Sequence, residues 1–176
     1  MKTLPVFFIL LGLSFSSCED LLPDLTLKST NFNCQVNGKN FNPKSSDFKG
    51  SPTYAYKKDN ILVVKGNRTT SGFFEQVEIG INSFSGKKTY SLYGSAGKSA
   101  IEFDDNHGYY RISDRNSGSE ITANTDNINR GKLVVTYHDP SNKKIAGTFE
   151  FTAISATTGK IYIITDGSFD LTYRNY

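Results

Sequence analysis

The stretch AGTFEFTAISATTGKIYIITDGSFDLTY, residues 146–173, decides the fold class of this chain. Apolar and polar residues alternate along 148–153 and again along 168–173. Because successive side chains of a strand point to opposite faces, this period of two predicts strands with one buried and one solvated face. Gly159 and the pair Asp166-Gly167 interrupt the alternation, and both are typical of tight hairpin turns. The stretch therefore predicts consecutive antiparallel strands.

The same period of two recurs upstream of this stretch. Its buried face is predicted to carry Val77, Ile79, Ile81, Leu133, Val135 and Tyr137. Turn signals separate the strands at 57–60 (KKDN), 84–88 (FSGKK), 104–108 (DDNHG) and 139–144 (DPSNKK). We find no apolar stripe of helical period. The chain is therefore predicted to be all-β, a hairpin-rich antiparallel sandwich or barrel of about nine to eleven strands, with a meander at its C-terminal end.

The composition agrees with strands and turns rather than helices. Phe and Tyr number 13 and 10, Trp is absent, and Met occurs once, and aromatic residues favour strands. The net charge of +3 gives no indication of a nucleic acid partner. The paired lysines fall in predicted turns, where solvated basic side chains are common; they are Lys57-Lys58, Lys87-Lys88 and Lys143-Lys144.

The N-terminal residues have the layout of an export signal. Lys2 precedes an apolar run from Leu4 to Leu13, and small polar residues follow it. The run is about half as long as the roughly 20 apolar residues that span a bilayer. Cys18 directly follows Phe15-Ser16-Ser17, which resembles the lipobox of bacterial lipoproteins, where a diacylglycerol is added to the cysteine before the signal is removed. An ordinary signal peptide cleaved after Ser16 is the alternative.

We therefore predict three segments. Residues 1–17 form a lipoprotein signal peptide, residues 18–30 a lipid-anchored tether, and residues 31–176 one all-β domain. Fatty chains such as palmitate on Cys18 contribute about 0.8 kcal/mol per buried methylene, so two or three chains anchor the protein durably. Because lipidation uses Cys18, Cys34 has no partner for a disulfide and is predicted to be a small buried apolar residue.

Two stretches, together with the lipobox, resemble a family of small, uncharacterised cell-envelope lipoproteins of Bacteroidetes-type bacteria. They are NFNCQVNGKNFNP, residues 31–43, and the opening stretch. The matching residues are Phe32, Cys34, Asn37-Gly38-Lys39, Phe41, Gly147-Thr148-Phe149, Gly159, Asp166-Gly167 and Phe169-Asp170. The resemblance implies an envelope location and an all-β fold, and it implies no activity. Glu19-Asp20, after the lipobox, resembles the acidic tag that sends such lipoproteins to the cell surface.

The sequence contains no catalytic constellation that we recognise. Gly97-Lys98-Ser99 lacks the first glycine of a phosphate-binding loop, and no Gly-x-Ser-x-Gly elbow is present. His107 and His138 lie next to predicted turns, where we expect them to face solvent. Glu75 and Glu78 are three residues apart on a predicted strand and so point to opposite faces, which removes the simplest pair of acids for glycoside hydrolysis. We expect no enzyme activity and no cofactor.

Asx-rich segments offer oxygen atoms at two places, 104–106 and 124–127. Such residues commonly cap their own backbone in turns, and neither segment has the spacing of an EF-hand. We expect turns, with a calcium site as the alternative. Zinc needs more histidine and cysteine ligands than this pattern offers, so no metal site is predicted.

Outward-facing aromatic residues are the remaining candidates for a ligand-binding surface. If Tyr90 and Leu92 face the core, their neighbour faces out, and the same reasoning applies to the strand at 107–114. The predicted surface residues are Tyr54, Tyr56, Tyr93, Tyr109 and Arg111. Exposed tyrosines of a sheet stack on sugar rings or anchor partner proteins. The alternative is that they cover a second sheet or are merely exposed.

These observations favour a lipid-anchored lipoprotein of the outer membrane with a non-enzymatic β domain that serves as a recognition or structural module. Display at the cell surface and a scaffold role on the periplasmic side are the alternatives for its location. Its expected partners are the membrane, through the lipid anchor, and a glycan or an envelope protein. The alternative function is a lipid-anchored hydrolase of glycans or cell-wall material, whose acids converge only in the folded chain.

Overall fold

The computed structural model describes residues 31–43, 52–96 and 103–175, and every regular element in these ranges is a strand. The strands are β1 (Asn31–Val36), β2 (Lys39–Phe41), β3 (Thr53–Lys58), β4 (Ile61–Thr70), β5 (Phe73–Ile81), β6 (Thr89–Leu92), β7 (His107–Asp114), β8 (Glu120–Asn124), β9 (Gly131–Asp139), β10 (Lys144–Ile154) and β11 (Ile161–Asn175). The all-β prediction is confirmed. The predicted signal peptide, the predicted tether with Cys18 and the segment Gly97-Lys98-Ser99 lie outside the described residues.

Tight turns connect the hairpins where the sequence predicted them. Asn37 and Gly38, with φ of 50° and 73°, link β1 to β2. Asp59, with φ of 50°, links β3 to β4, and Lys143, with φ of 54°, links β9 to β10. Asn and Asp tolerate this left-handed conformation better than most residues with a side chain. The predicted meander of β9, β10 and β11 is confirmed.

The last strand, β11, closes the sheet into a barrel-like ring. It pairs with β10 along one edge, and along the other edge it pairs first with β1 and then with β3. The ring runs β11-β3-β4-β5-β7-β8-β10 and returns to β11. The pairing of β11 with β3, where Tyr173 lies beside Ala55, is parallel. The sheet is therefore mixed, whereas the sequence predicted antiparallel pairing throughout.

The prediction of a hairpin turn at Asp166-Gly167 is wrong, because β11 runs without interruption through both residues. Asp166 has φ of 51°, and the pairing of β11 with β10 shifts register at this point. The pair is thus a β-bulge, in which an extra residue locally bends the strand. At Gly167 a Cβ atom would lie 2.5 Å from the ring of Phe149, so only glycine fits.

Inward-facing side chains fill the ring with a single apolar core. Among the described residues, six phenylalanines are buried in this core: Phe32, Phe41, Phe84, Phe149, Phe151 and Phe169. A second, small cluster of Tyr56, Val63 and Phe103 lies on the outer face. Both faces of the central strands are therefore covered, and the sequence prediction of one wet face does not hold for β4 and β5, where Val63 and Glu78 are buried on the outer side.

A second bulge changes which residues of β9 face the core. Val135 pairs with Gly147 but Tyr137 pairs with Ala146, so Thr136 is the extra residue. After this bulge the alternation is inverted: Tyr137, predicted to be buried, is 39% exposed. His138 takes the inward position instead.

Cys34 is buried in the core, as predicted. Burial raises the pKa of its thiol to about 12, with smaller and opposing contributions from the charges of Arg68 and Glu75. The thiolate is the reactive form of cysteine. Burial and the raised pKa therefore both oppose reaction of Cys34 in the folded domain.

Candidate functional site

One cross-strand row on the outer face of the ring brings two of the predicted tyrosines together. Tyr54 of β3 pairs with Lys65 of β4, Lys65 with Glu78 of β5, and Glu78 with Tyr109 of β7. Directly opposed residues of neighbouring strands have Cβ atoms about 5 Å apart. The row therefore places an acid and a base between two partly exposed aromatic rings. We call it the outer tyrosine row.

The centre of the outer tyrosine row is an ion pair that is almost fully buried. The ammonium of Lys65 contacts the carboxylate of Glu78, and the side chains are 9% and 5% exposed. Gln76 Nε2 donates a hydrogen bond of 3.1 Å to Glu78 Oε2, and His107 Nε2 lies 3.5 Å from Glu78 Oε1. Burial raises the pKa of Glu78, but the contacts with His107 and Lys65 outweigh it and hold the pKa below its ordinary value.

His107 is fully buried, so the expectation that it faces solvent is wrong. It pairs with Gly80 across β5 and β7, and a Cβ atom on Gly80 would lie 2.2 Å from the imidazole. The ring thus occupies the space that a side chain at position 80 would fill. Phe103 covers it from outside, with ring centroids 4.5 Å apart in an edge-on geometry. This packing requires Gly80 on β5 and Phe103 just before β7. Because the two residues are far apart along the chain, no local sequence pattern indicates that His107 is buried.

The other predicted surface residues differ in their accessibility. Tyr56 shares a face with Tyr54, as predicted, and the rings stack with centroids 6.3 Å apart, but Tyr56 is mostly buried. Tyr93 is 39% exposed. Tyr109 is half-buried, and burial raises its pKa to about 12. Arg111 lies beside the outer tyrosine row, where it pairs with Glu120 and lies over the ring of Phe74.

A polar cluster on the inner face of β5 was not predicted. Arg68 Nε donates to Glu75 Oε2 at 2.5 Å, and Tyr110 donates a hydrogen bond of 2.7 Å to Glu75 Oε1. Burial and this bond raise the pKa of Tyr110. The ring of Tyr162 lies 4.6 Å from that of Tyr110, and its hydroxyl is buried with no hydrogen-bond partner among the described residues. Only the alternation of β4 and β5, which turns these side chains inward, could have suggested this cluster.

His138 is less exposed than the sequence predicted. It is half-buried, lies edge-on to Phe84 at 5.0 Å, and Nε2 is 3.3 Å from the hydroxyl of Tyr173. Burial lowers its pKa, as does the charge of Lys57, while Asp139 acts in the opposite direction. The inversion of β9 at its bulge brings His138 to this position.

The Asx-rich segments form turns. Asp126 Oδ1 accepts hydrogen bonds from the backbone N–H groups of Ile128 and Asn129, and these bonds lower the pKa of the carboxyl. Asn106 Oδ1 accepts from the N–H group of Asn82. Within residues 31–43, 52–96 and 103–175, no three acidic, histidine or cysteine side chains are grouped as metal ligands would be.

A polar groove lies on the outer surface where β9, β10 and β11 run side by side. Its volume is about 310 Å³, and it follows the Asp166-Gly167 bulge. Its lining residues are Lys132, Thr148, Phe149, Glu150, Asp166, Gly167 and Ser168. Lys132 and Glu150 form an exposed ion pair of 3.1 Å. We call this site the bulge groove; no sequence pattern indicated it, because the bulge itself was taken for a hairpin turn.

A family model matches the chain over residues 32–171, from the first core phenylalanine of β1 to Leu171 of β11. The chain belongs to the DUF6252 family. This family is described as a domain of unknown function. Its match includes part or all of each of the eleven strands and ends just before residues 173–175 of β11, which pair with β3. Searches of curated proteins and of solved structures find no match to this DUF6252 chain. In the part of the chain that the structure describes, no helix is long and apolar enough to cross a membrane.

Proposed function

We propose that this DUF6252 protein is a lipid-anchored lipoprotein of the bacterial outer membrane whose β domain is a non-enzymatic recognition or structural module. Two observations support this location: the lipobox-like sequence ending at Cys18, and the resemblance to envelope lipoproteins of Bacteroidetes-type bacteria. Acylation of Cys18 supplies the attachment, and the segment 18–30 keeps the domain near its membrane. The acidic pair Glu19-Asp20 supports display at the cell surface.

The observation that carries the recognition role is the outer tyrosine row. Tyr54 and Tyr109 flank the Lys65–Glu78 pair in register across four strands. Tyrosines present a rigid apolar ring with a polar tip, and they are enriched where proteins bind partners. The row therefore suits a partner that combines apolar faces with hydroxyl or amide groups, such as a glycan or an envelope protein.

The two acidic residues of β5 are bound to neighbouring side chains, which supports a non-enzymatic domain. Glu75 is held by Arg68 and Tyr110, and Glu78 by Lys65 and Gln76. A general acid in glycoside hydrolysis must carry a proton at neutral pH. The contacts of Glu78 with His107 and Lys65 lower its pKa and so favour the unprotonated form, which cannot donate a proton.

Lipid attachment at Cys18 is tested by metabolic labelling. Cells that express the full chain or its Cys18→Ala variant are fed radiolabelled palmitate, and the protein is isolated and counted. We expect label on the natural protein and none on the variant. If neither protein takes up label, the lipoprotein proposal fails. Protease shaving of intact cells then tests surface display, which would be contradicted by a protein that stays intact.

The recognition role is tested separately by affinity capture. The full chain in detergent and a Tyr54→Ala/Tyr109→Ala variant are incubated with envelope extract and with an immobilised glycan panel. We expect reproducible capture of one partner by the natural protein, reduced at least fivefold in the variant. Capture of nothing by either protein contradicts recognition and leaves the structural role.

A lipid-anchored hydrolase of glycans or cell-wall material is the second candidate, and the bulge groove is the observation that favours it. Glu150 and Asp166 both line this groove, and glycoside hydrolysis uses two carboxyl groups that flank the substrate. The test is release of soluble sugar from purified cell-wall material by the full chain and by its Glu150→Gln and Asp166→Asn variants. Release that both substitutions abolish would establish the hydrolase and overturn the non-enzymatic proposal.

A further inference from the structure

The carboxylate of Asp166 is the distinctive feature of the bulge groove. Charged side chains line the groove at Lys132, Glu150 and Asp166. Lys132 and Glu150 form an ion pair of 3.1 Å, so their charges offset each other. Asp166 forms no ion pair or side-chain hydrogen bond among the described residues. The groove therefore presents one uncommitted carboxylate together with the hydroxyls of Thr148 and Ser168.

The bulge sets the backbone conformation from which that carboxylate projects. Asp166 adopts φ of 51° inside a strand, a conformation that side-chain-bearing residues rarely adopt, and such outliers cluster at binding sites. Bulges likewise occur next to functional sites, where they redirect a side chain. Ser168 Oγ is fixed by a hydrogen bond of 3.2 Å to Asn33 Oδ1 on β1. The polar groups are thus positioned by the sheet rather than by a loop.

An exposed aromatic ring lies beside the groove on the same outer face. Tyr137 of β9 pairs with Ala146 of β10, which pairs with Asp170 of β11. The neighbouring row is Thr148 with Ser168, two residues along each strand and so about 7 Å away. Tyr137 is 39% exposed because the β9 bulge turns it outward. Two separate bulges therefore bring a carboxylate, two hydroxyls and a tyrosine to one surface.

We propose that the bulge groove, with Tyr137 at its edge, binds a neutral oligosaccharide. A carboxylate accepts hydrogen bonds from sugar hydroxyls, the Thr148 hydroxyl can donate and accept them, and the Ser168 hydroxyl, whose proton is donated to Asn33, can accept them. The apolar face of a neighbouring sugar ring stacks on the tyrosine. The groove volume lies at the lower end of the range for small-molecule sites, which suits one sugar unit in the groove and the next on Tyr137. The inference goes beyond the proposed recognition role, because it assigns a ligand class to the bulge groove, a site separate from the outer tyrosine row.

The test measures saccharide binding by isothermal titration calorimetry with the full chain in detergent. The probes are N-acetylglucosamine trimer, cellotetraose and maltotetraose. The decisive variant is Asp166→Asn, since asparagine also tolerates a left-handed backbone and leaves the bulge intact. Asp104→Asn makes the same charge change at an exposed position near β7 and is the matched control. Tyr137→Ala tests the stacking ring, and its control is Phe73→Ala, which removes an aromatic ring of similar exposure (40%) on β5.

We expect at least one probe to bind, with the dissociation constant raised about tenfold by Asp166→Asn and by Tyr137→Ala and unchanged by both controls, a tenfold change being about 1.4 kcal/mol. Binding that survives both groove substitutions but is lost in Tyr54→Ala/Tyr109→Ala overturns the groove and leaves recognition intact. Binding of none of the probes overturns the saccharide inference, and the affinity capture then decides whether the recognition role itself fails.

Discussion

Glu75 and Glu78 lie three residues apart on β5 and face opposite sides of the sheet, where each carboxylate binds a different basic residue. Glu75 faces the core and binds Arg68, whereas Glu78 faces outward and binds Lys65. Both acids have only small exposed fractions. Strand β5 therefore has one buried carboxylate on each face. Each carboxylate needs its basic partner to offset the cost of burying its charge.

Removal of the Glu78 charge should destabilise the domain strongly. In Glu78→Gln the ammonium of Lys65 stays buried without a counter-ion, and breaking a buried pair in this way costs about 3–5 kcal/mol. The free energy of unfolding, measured by urea denaturation, should fall by about this amount. The double variant Lys65→Met/Glu78→Leu removes both charges and should recover most of the loss. Equal losses in the single and double variants would contradict an ion-pair role.

A methyl group at position 80 should act through His107. In Gly80→Ala the new Cβ would lie 2.2 Å from the imidazole, and overpacking of this kind costs about 1–3 kcal/mol. Because the clash needs both side chains, Gly80→Ala should cost markedly less when His107→Ala is also present. A double-mutant cycle by thermal denaturation measures this coupling. Additive effects would show that the imidazole does not lie over Gly80.

Position 166 should tolerate asparagine but not a β-branched residue. Asp166 has φ of 51°, which asparagine adopts readily and valine does not. We expect Asp166→Asn to leave the free energy of unfolding within about 0.5 kcal/mol of the natural protein. Asp166→Val should lose about 1–2 kcal/mol. If valine were tolerated as well as asparagine in urea denaturation, the bulge geometry would be wrong.

The burial of His138 should make folding sensitive to mild acid. Burial lowers its pKa in the folded state, so the unfolded chain binds the proton more readily than the folded one. The resulting contribution to stability is present above the ordinary pKa of about 6.5 and is lost as pH falls through the lower, folded pKa. Melting temperatures measured from pH 7.5 to 5 should decrease less in His138→Phe than in the natural protein. Parallel curves for the two proteins would contradict this.

Cys34 should not react in the folded protein. With its pKa near 12, almost no thiolate exists at pH 8, and the side chain is buried. In the Cys18→Ala variant it is the remaining cysteine of the two in the sequence. We expect no reaction with a thiol-specific reagent until urea unfolds the domain. Ser141→Cys, at an exposed turn, provides a control that reacts at once; equally fast reaction of Cys34 would contradict its burial.

Local patterns in the sequence predicted the strands because strand periodicity is local. The alternation along 148–153 and 168–173 corresponds to β10 and β11, and Asn37-Gly38 forms the predicted turn. The opposite orientation of Glu75 and Glu78 also followed from strand period alone. Each of these properties depends only on residues that are neighbours along the chain.

What the sequence did not predict depends on residues that are distant along the chain. An Asp-Gly pair supplies the same backbone conformation in a hairpin turn and in a bulge, so Asp166-Gly167 gave no local sign of which it forms. The parallel pairing of Tyr173 with Ala55 joins segments more than a hundred residues apart. The burial of His107 needs Gly80 on a neighbouring strand. The outer tyrosine row could be anticipated in part, since strand period showed which tyrosines face outward but not which strands lie side by side.

The position of β11 in the ring determines when the ring can close during synthesis of the chain. This strand is the last of the domain to be synthesised, and both β3 and β10 need it as a neighbour. No nascent chain that ends before residue 161 can contain a closed ring. Until residues 161–175 have left the ribosome, the edges of β3 and β10 lack that partner, so the ring closes only after β11 has emerged.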